Sequence, residues 1–213
     1  CLLYLPQFPP RLHGRETAEY YDMMAEEISG LLDAANGHAL VLFNSYAAMS
    51  AVKERLKRQG LKWKLFTMGR NALHATQQFK DSHGSVLLAA GAAWEGFDFP
   101  GDCVSLLVIP RLPFAYPDAL KEKERENYDS LRDYIQAVVV PEMQIKLRQG
   151  FGRAIRTETD TCVIAILDER GQKRYREEML AALPTMRQTS SLREVERFIR
   201  QRKGKDYYLE GCA

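Results

Sequence analysis

Ser85-Val86-Leu87-Leu88-Ala89-Ala90-Gly91-Ala92-Ala93-Trp94-Glu95-Gly96-Phe97-Asp98 is the stretch on which the architecture turns. A strand from Ser85 to Ala89 that is apolar at successive positions belongs in a sheet covered on both faces, the habit of parallel sheets. The glycine-rich run leaves the carboxyl end of that strand, where open α/β sheets gather their ligands. Gly91 to Gly96 has the GxxxxG spacing of a phosphate loop. However, Phe97 and Asp98 stand where such a loop needs Lys and then Ser or Thr, and no GxxxxGK[ST] occurs elsewhere. The chain therefore lacks its own cradle for β- and γ-phosphates. Two readings stay open here. One is an ordinary Gly-rich turn; the other is a loop whose Glu95 and Asp98 carboxylates take a ribose hydroxyl, orient an arginine or hold a metal through water.

Working outward, further apolar runs predict strands at Ala39 to Phe43, Lys64 to Thr67, Val104 to Ile109 and Thr161 to Leu167. Helical spacing fills the gaps. Tyr21, Met24, Ile28, Leu31 and Leu32 share a face before the stop at Asn36-Gly37. Met49, Val52 and Leu56 do so in a helix that Asn44-Ser45 can cap and Gly60 ends. A short helix is expected near Leu73 to Phe79, a charged one over Asp118 to Gln136, and others over Met143 to Arg156 and from Gly171 to about Leu183. A final amphipathic helix from Ser190 or Ser191 carries Leu192, Val195 and Ile199 and ends at Gly204. Strands alternating with helices predict a single α/β domain with a mostly parallel sheet of about five or six strands.

Composition sets the outer limits. The chain has 213 residues, 46% apolar and 27% charged, with 9 Pro and 14 Gly, which excludes disorder and low-complexity tracts. Lys and Arg total 30 against 28 Asp and Glu, so the net charge of +2 leaves any basic surface to be a local one. Apolar runs such as Val86 to Ala93 are far short of the roughly 20 residues needed to cross a bilayer, so no membrane partner is expected and a cytoplasmic protein is the default. Cys1, Cys103, Cys162 and Cys212 form no CxxC pair, and His13, His38, His74 and His83 have no metal-ligand spacing. No metal site is expected. The first residue is Cys and not Met, and the chain reads as a piece of something longer.

Gln149-Gly150-Phe151-Gly152-Arg153-Ala154-Ile155-Arg156 is the second candidate. At about 100° per residue, Gln149, Gly152, Arg153 and Arg156 fall in an arc of roughly 100°, opposite Met143 and Leu147. Two guanidinium groups together suit an anion with several oxygens, and a solvated basic helix face explains the same residues. Gly152 costs about 1 kcal/mol relative to Ala inside a helix, which predicts a close approach to its backbone. Leu167-Asp168-Glu169-Arg170 imitates a Walker B strand, but without a phosphate loop upstream Asp168 reads as a strand-end or cap residue. At Asn44-Ser45-Tyr46, a strand-to-helix junction, phosphate binding and simple N-capping remain equal readings.

Taken in order, these segments resemble the second RecA-like lobe of a superfamily 2 helicase of the DinG/XPD-like group. Val41 to Tyr46 resembles motif IV of that group, Trp94 to Asp102 resembles motif V, and Gln149 to Arg156 matches the QxxGRxxR core of motif VI. Arg111-Leu112-Pro113-Phe114 is also typical of DinG-like chains. The likeness runs from about Ala39 to Leu183. It implies a RecA-like, P-loop NTPase-type, three-layer α/β/α lobe at residues 38–184, with 1–37 as a lead-in segment and helix and 185–213 as a C-terminal helical extension. It implies an ATP-dependent DNA helicase as parent, with a setting in DNA repair. ATP and Mg²⁺ would be bound mainly by an N-terminal lobe absent from this chain. That lobe also carries the iron–sulfur cluster of many members, so none is expected here. Arg153 and Arg156 would be arginine fingers positioned with Gln149. Glu95, Gly96, Asp98 and Gly152 would lie on the nucleotide side, and Asn44, Ser45 and Tyr46 along single-stranded DNA. The chain alone is expected to be inactive. The rival readings are a nucleic-acid-binding module with a lost ATPase and an unrelated α/β enzyme acting on a small phosphorylated substrate.

Overall fold

The computed structural model describes residues 1–12, 14, 16–69, 72–94, 99, 103–155 and 161–208. The five apolar runs all form strands: β2 (Ala39–Phe43), β3 (Leu65–Thr67), β4 (Val86–Ala90), β5 (Leu106–Ile109) and β6 (Val163–Ile166). Two more join them, β1 (Leu2–Tyr4) and β7 (Arg187–Thr189), so the sheet has seven strands among the described residues where five or six are expected from sequence. Their order is β3-β4-β2-β5-β6-β1-β7, and every pairing is parallel. The two additions are short and carry little signal. β1 is three residues long, and β7 reads Arg-Gln-Thr with no apolar position at all. A short, polar, charged strand suits a sheet edge, where unpaired backbone groups would otherwise invite another chain.

The strands β2, β4, β5 and β6 are apolar throughout because both faces are covered. Val41, Phe43, Leu88, Val108 and Ala165 point into one core, together with helices α1 (Ala18–Ala34), α2 (Tyr46–Arg58) and α8 (Leu192–Arg200). Leu40, Leu42, Leu87, Leu107, Ile109 and Ile164 point into the other, against α3 (Ala72–Lys80), α6 (Val140–Ala154) and α7 (Arg176–Ala181). Alternate residues thus serve opposite cores, and in β2, β4, β5 and β6 neither face carries a polar side chain.

Local chemistry sets the helix ends. Thr17 caps α1 by accepting from the Tyr20 N–H at 3.2 Å, and Asn36 and Gly37 then take positive φ values of 53° and 73°. Gly37 is required there, because a Cβ would lie 2.4 Å from the Gly84 carbonyl oxygen. The charged segment expected to be one helix is broken. α4 (Ala119–Arg125) stops short, and α5 (Leu131–Tyr134) begins afresh from Ser130, whose hydroxyl accepts from the Asp133 N–H at 3.1 Å. A π-helical turn, Ile135–Val139, joins α5 to α6.

Two histidines without assigned chemistry turn out to be structural. His38 stacks on Tyr207 at 4.0 Å and meets His83 edge-on at 4.7 Å. The Tyr207 hydroxyl donates to the Ala35 carbonyl at 2.6 Å, and the Asn36 amide donates to the Tyr207 carbonyl at 3.0 Å. These bonds fasten the 3₁₀ turn Lys205–Tyr208 to the loop at the amino end of β2. No described helix is long and apolar enough to cross a membrane.

Helix α8 packs on this lobe. Val195, Phe198 and Ile199 are buried against the α1 side of the sheet, and Leu192 closes over Gly30. Ile199→Ala is expected to cost about 2–5 kcal/mol, the range for emptying a buried aliphatic site, read as a lower urea midpoint for unfolding.

Candidate functional site

Three segments meet beyond the carboxyl ends of β2 and β4. β4 ends at Ala90, and Gly91 (φ 63°) opens a 3₁₀ turn, Gly91–Trp94. Trp94 is 1% exposed, and its indole N–H donates to the Phe43 carbonyl oxygen at 3.1 Å. The other edge of the ring lies against α6. A Cβ on Gly150 would sit 2.7 and 2.9 Å from Trp94 ring atoms and 3.3 Å from Leu42 Cδ1. One side chain therefore ties the end of β2, the turn after β4 and the arginine-bearing helix together. Tyr46, although 55% exposed, lies over Gly91, where a Cβ would meet its hydroxyl at 3.2 Å.

Within the lobe itself the close approach falls at Gly150, and none of the described residues makes the approach expected at Gly152. Nothing lies within 4 Å of a Cβ built on Gly152, which is exposed. The two glycines are about 200° apart on the helix and so face opposite ways. Helix α6 buries Val140, Met143, Leu147, Gly150 and Ala154, and leaves Gln149 and Arg153 half-buried to either side of bare Gly152. It ends at Ala154, and Ile155 is extended (φ −129°, ψ 118°). Arg156 lies outside the described residues, as do Glu95, Gly96 and Asp98.

A cavity of about 690 Å³ opens beside this assembly. Its walls include Asn44, Ser45, Arg111, Phe114, Tyr116, Lys146 and Arg170, with Tyr20 and Tyr21 of α1. A chain of hydrogen bonds supports the floor. The Asn44 amide donates to the Leu112 carbonyl at 2.8 Å, and the Leu112 N–H donates to Asp168 Oδ2 at 2.9 Å. Asp168 also accepts from the Arg170 backbone N–H at 2.9 Å and from its Nη2 at 2.7 Å. The Asp168 carboxylate is 6% exposed and capping a 3₁₀ turn, Glu169–Gly171, so the strand-end reading holds. Ser45 caps α2 by accepting from the Ala48 N–H at 3.1 Å. The Arg170 guanidinium lies 4.7 Å above the Phe114 ring, and Arg111 is paired with Glu16 at 2.8 Å. Burial pushes the Tyr20 phenol up, opposed by Arg111 and helped by Asp168 and Glu16, so it stays protonated at neutral pH.

Arg111, Arg170 and Lys146 are lining residues to which sequence reading gave no site role. Only Lys146 carried a usable signal, since it lies three residues before Gln149 and seven before Arg153, on the same helical face. Among the described residues no group of three or more His, Cys, Asp or Glu could hold a metal ion.

A parallel sheet with two covered faces, a glycine turn after β4 and a glutamine–arginine helix pinned above it define a RecA-like lobe of the kind that completes a helicase. Residues 28–186 match the helicase C-terminal domain family, and the chain belongs to that family. It is 32% identical over 205 residues to the ATP-dependent DNA helicase YoaA of Haemophilus influenzae, covering 94% of this chain and 31% of that protein. It is 32% identical over 197 residues to the ATP-dependent helicase DinG of Mycobacterium tuberculosis, covering 91% of this chain and 29% of that one. The chain therefore spans about a third of the length of these relatives. An XPD helicase structure superposes with a TM-score of 0.66 at 18% identity, over 88% of this chain and 35% of that one, which speaks for the fold.

The two glycines give opposite expectations. Gly150→Ala forces the rigid Trp94 ring to move and should destabilise by about 1–3 kcal/mol, as overpacking does. Gly152→Ala meets nothing and should stabilise by up to about 1 kcal/mol through helix propensity alone. Urea unfolding of the two variants separates them.

Proposed function

We propose that this chain is the second lobe of an ATP-dependent DNA helicase and that it answers a triphosphate held mainly, with Mg²⁺, by a first lobe elsewhere in the parent protein. The observation that carries this reading is the α6 surface, where Gln149 and Arg153 flank a stretch of backbone left bare at Gly152. A polyanion can approach that surface to backbone distance, which a Cβ would prevent.

Phosphoryl transfer needs little covalent chemistry from protein, and catalysis is positioning plus neutralisation of charge on the transferred group. Arg153 and Arg156 supply that charge, and Gln149 positions them or the attacking water. Glu95, Gly96 and Asp98 line the nucleotide side and link it to the nucleic-acid track. Asn44, Ser45 and Tyr46 lie along single-stranded DNA, the first two at the cavity wall. The bonds of Asn44 to Leu112 and of Ser45 to the α2 backbone hold that segment in place, and Tyr46 follows it as an exposed aromatic. Closure of the lobes on the triphosphate and reopening after hydrolysis shift the grip on the strand. The names of the relatives and the family match support the class; the α6 geometry supports the role of Arg153.

Arg153→Ala in the parent protein should lower ATP turnover by about 10³-fold or more, the worth of an arginine finger, with only a modest loss of nucleotide binding. Wild-type turnover in that variant would refute the assignment. Gly152→Ala should lower turnover too, although it leaves the fold intact, because its methyl group occupies the approach to the backbone. The 213-residue chain alone should show no strand-stimulated ATP hydrolysis.

A further inference from the structure

The cavity beside α6 holds three cations, and their surroundings differ. Arg111 is neutralised by Glu16, and Arg170 by Asp168, with its plane over Phe114. Lys146 makes no ion pair among the described residues, and the network around it explains why. The carboxylate placed to pair with it is Glu142, four residues earlier on the same helix, the favoured Glu-to-Lys order. Glu142 is taken instead by Lys121 of α4, which is also held by Glu124 at 3.1 Å. The α4–α6 contact thus engages the natural partner of Lys146, and Lys146 lines the cavity.

Lys146 also shares its helical face with the arginine site. Gln149 lies about 60° and Arg153 about 20° around the helix from it, and Arg153 lies about 10 Å further along the axis. Met143, Leu147, Gly150 and Ala154, about 40–100° around the helix from Lys146 on its other flank, anchor α6 in the core, so the helix moves as one piece.

We propose that Lys146 anchors a backbone phosphate of the bound nucleic-acid strand in this cavity and, through the rigid α6 helix, ties strand occupancy to the placement of Gln149 and Arg153. This rests on the helicase reading and assigns to α6 two anions at once, one from the strand at Lys146 and one from the nucleotide at Arg153. The phosphate is neutralised by a point charge without directional demand, which tolerates any base sequence. Tyr116, exposed on the same wall, offers its ring face to an adjoining base.

The test uses the parent protein as wild type and as Lys146→Gln, Lys146→Ala and Lys146→Arg. Affinity for a fluorescein-labelled oligothymidylate is measured across a salt series, with affinity for a fluorescent ATP analogue measured in parallel. The Gln and Ala variants should bind the strand about tenfold more weakly at moderate salt, the worth of one charge-assisted contact. Their slope of log affinity against log salt should fall by about 0.7, one phosphate's share on a single strand. The Arg variant should restore both. The strand concentration giving half-maximal ATP turnover should rise in Lys146→Gln by a similar factor, more than maximal turnover falls. Unchanged strand affinity and salt slope in Lys146→Gln would overturn the proposal while leaving Arg153 untouched. A loss confined to the ATP analogue would overturn it by placing Lys146 on the nucleotide side. If the wild-type protein binds no strand at all, the helicase reading itself falls, and this inference with it.

Discussion

Everything at the functional end of this lobe depends on one buried indole. Trp94 reaches from the turn after β4 to the last carbonyl of β2 and stands edge-on against Gly150 of α6. The contact is possible only because Gly150 has no side chain. Replacing the tryptophan by a smaller apolar residue would leave the Phe43 carbonyl without its donor and a hollow beneath the helix, and each defect costs a few kcal/mol. The arrangement fixes α6 in height and rotation, and with it the direction in which Gln149 and Arg153 face.

A second constraint is polar. Asn44, Leu112, Asp168 and Arg170 form a run of hydrogen bonds that crosses the ends of β2, β5 and β6. Asp168 accepts from two backbone N–H groups and one guanidinium, so its buried charge is fully satisfied. The acidic residue that imitates a metal-binding strand end is therefore consumed in holding three strands in register. The loops above them can vary in sequence while that floor stays level.

Much of this was legible in the sequence, and the parts that were not share a cause. Continuous apolar runs such as Ala39 to Phe43 and Val86 to Ala90 announce doubly covered strands and form them, whereas the weaker strand at Lys64 to Thr67 forms only a half-buried sheet edge. Leu2–Tyr4 and Arg187–Thr189 are too short for periodicity, and the second is strand only because β1 lies beside it. The same limit applies to the glycines of α6. Spacing draws attention to Gly152, but the position of Trp94, about 55 residues earlier, makes Gly150 the packed one. Lys146 escaped notice because its availability is a negative fact, created by Lys121 capturing Glu142 from another helix. Ser130 broke the expected long charged helix in two through a cap that composition alone does not weigh against helix propensity.

The sheet order has a consequence for how the molecule is made. β1 is hydrogen-bonded on one side to β6 and on the other to β7, so Leu2 is matched with Val163 and with Arg187. During translation, β1 leaves the ribosome long before either partner exists. At about 5–20 residues per second, it waits on the order of ten seconds as an apolar segment with both edges open. The β2–β5 half can assemble meanwhile, since β2, β3, β4 and β5 pair with one another. The nascent lobe is thus a half-sheet in need of shelter, and its vulnerability to aggregation ends only when the last strand arrives.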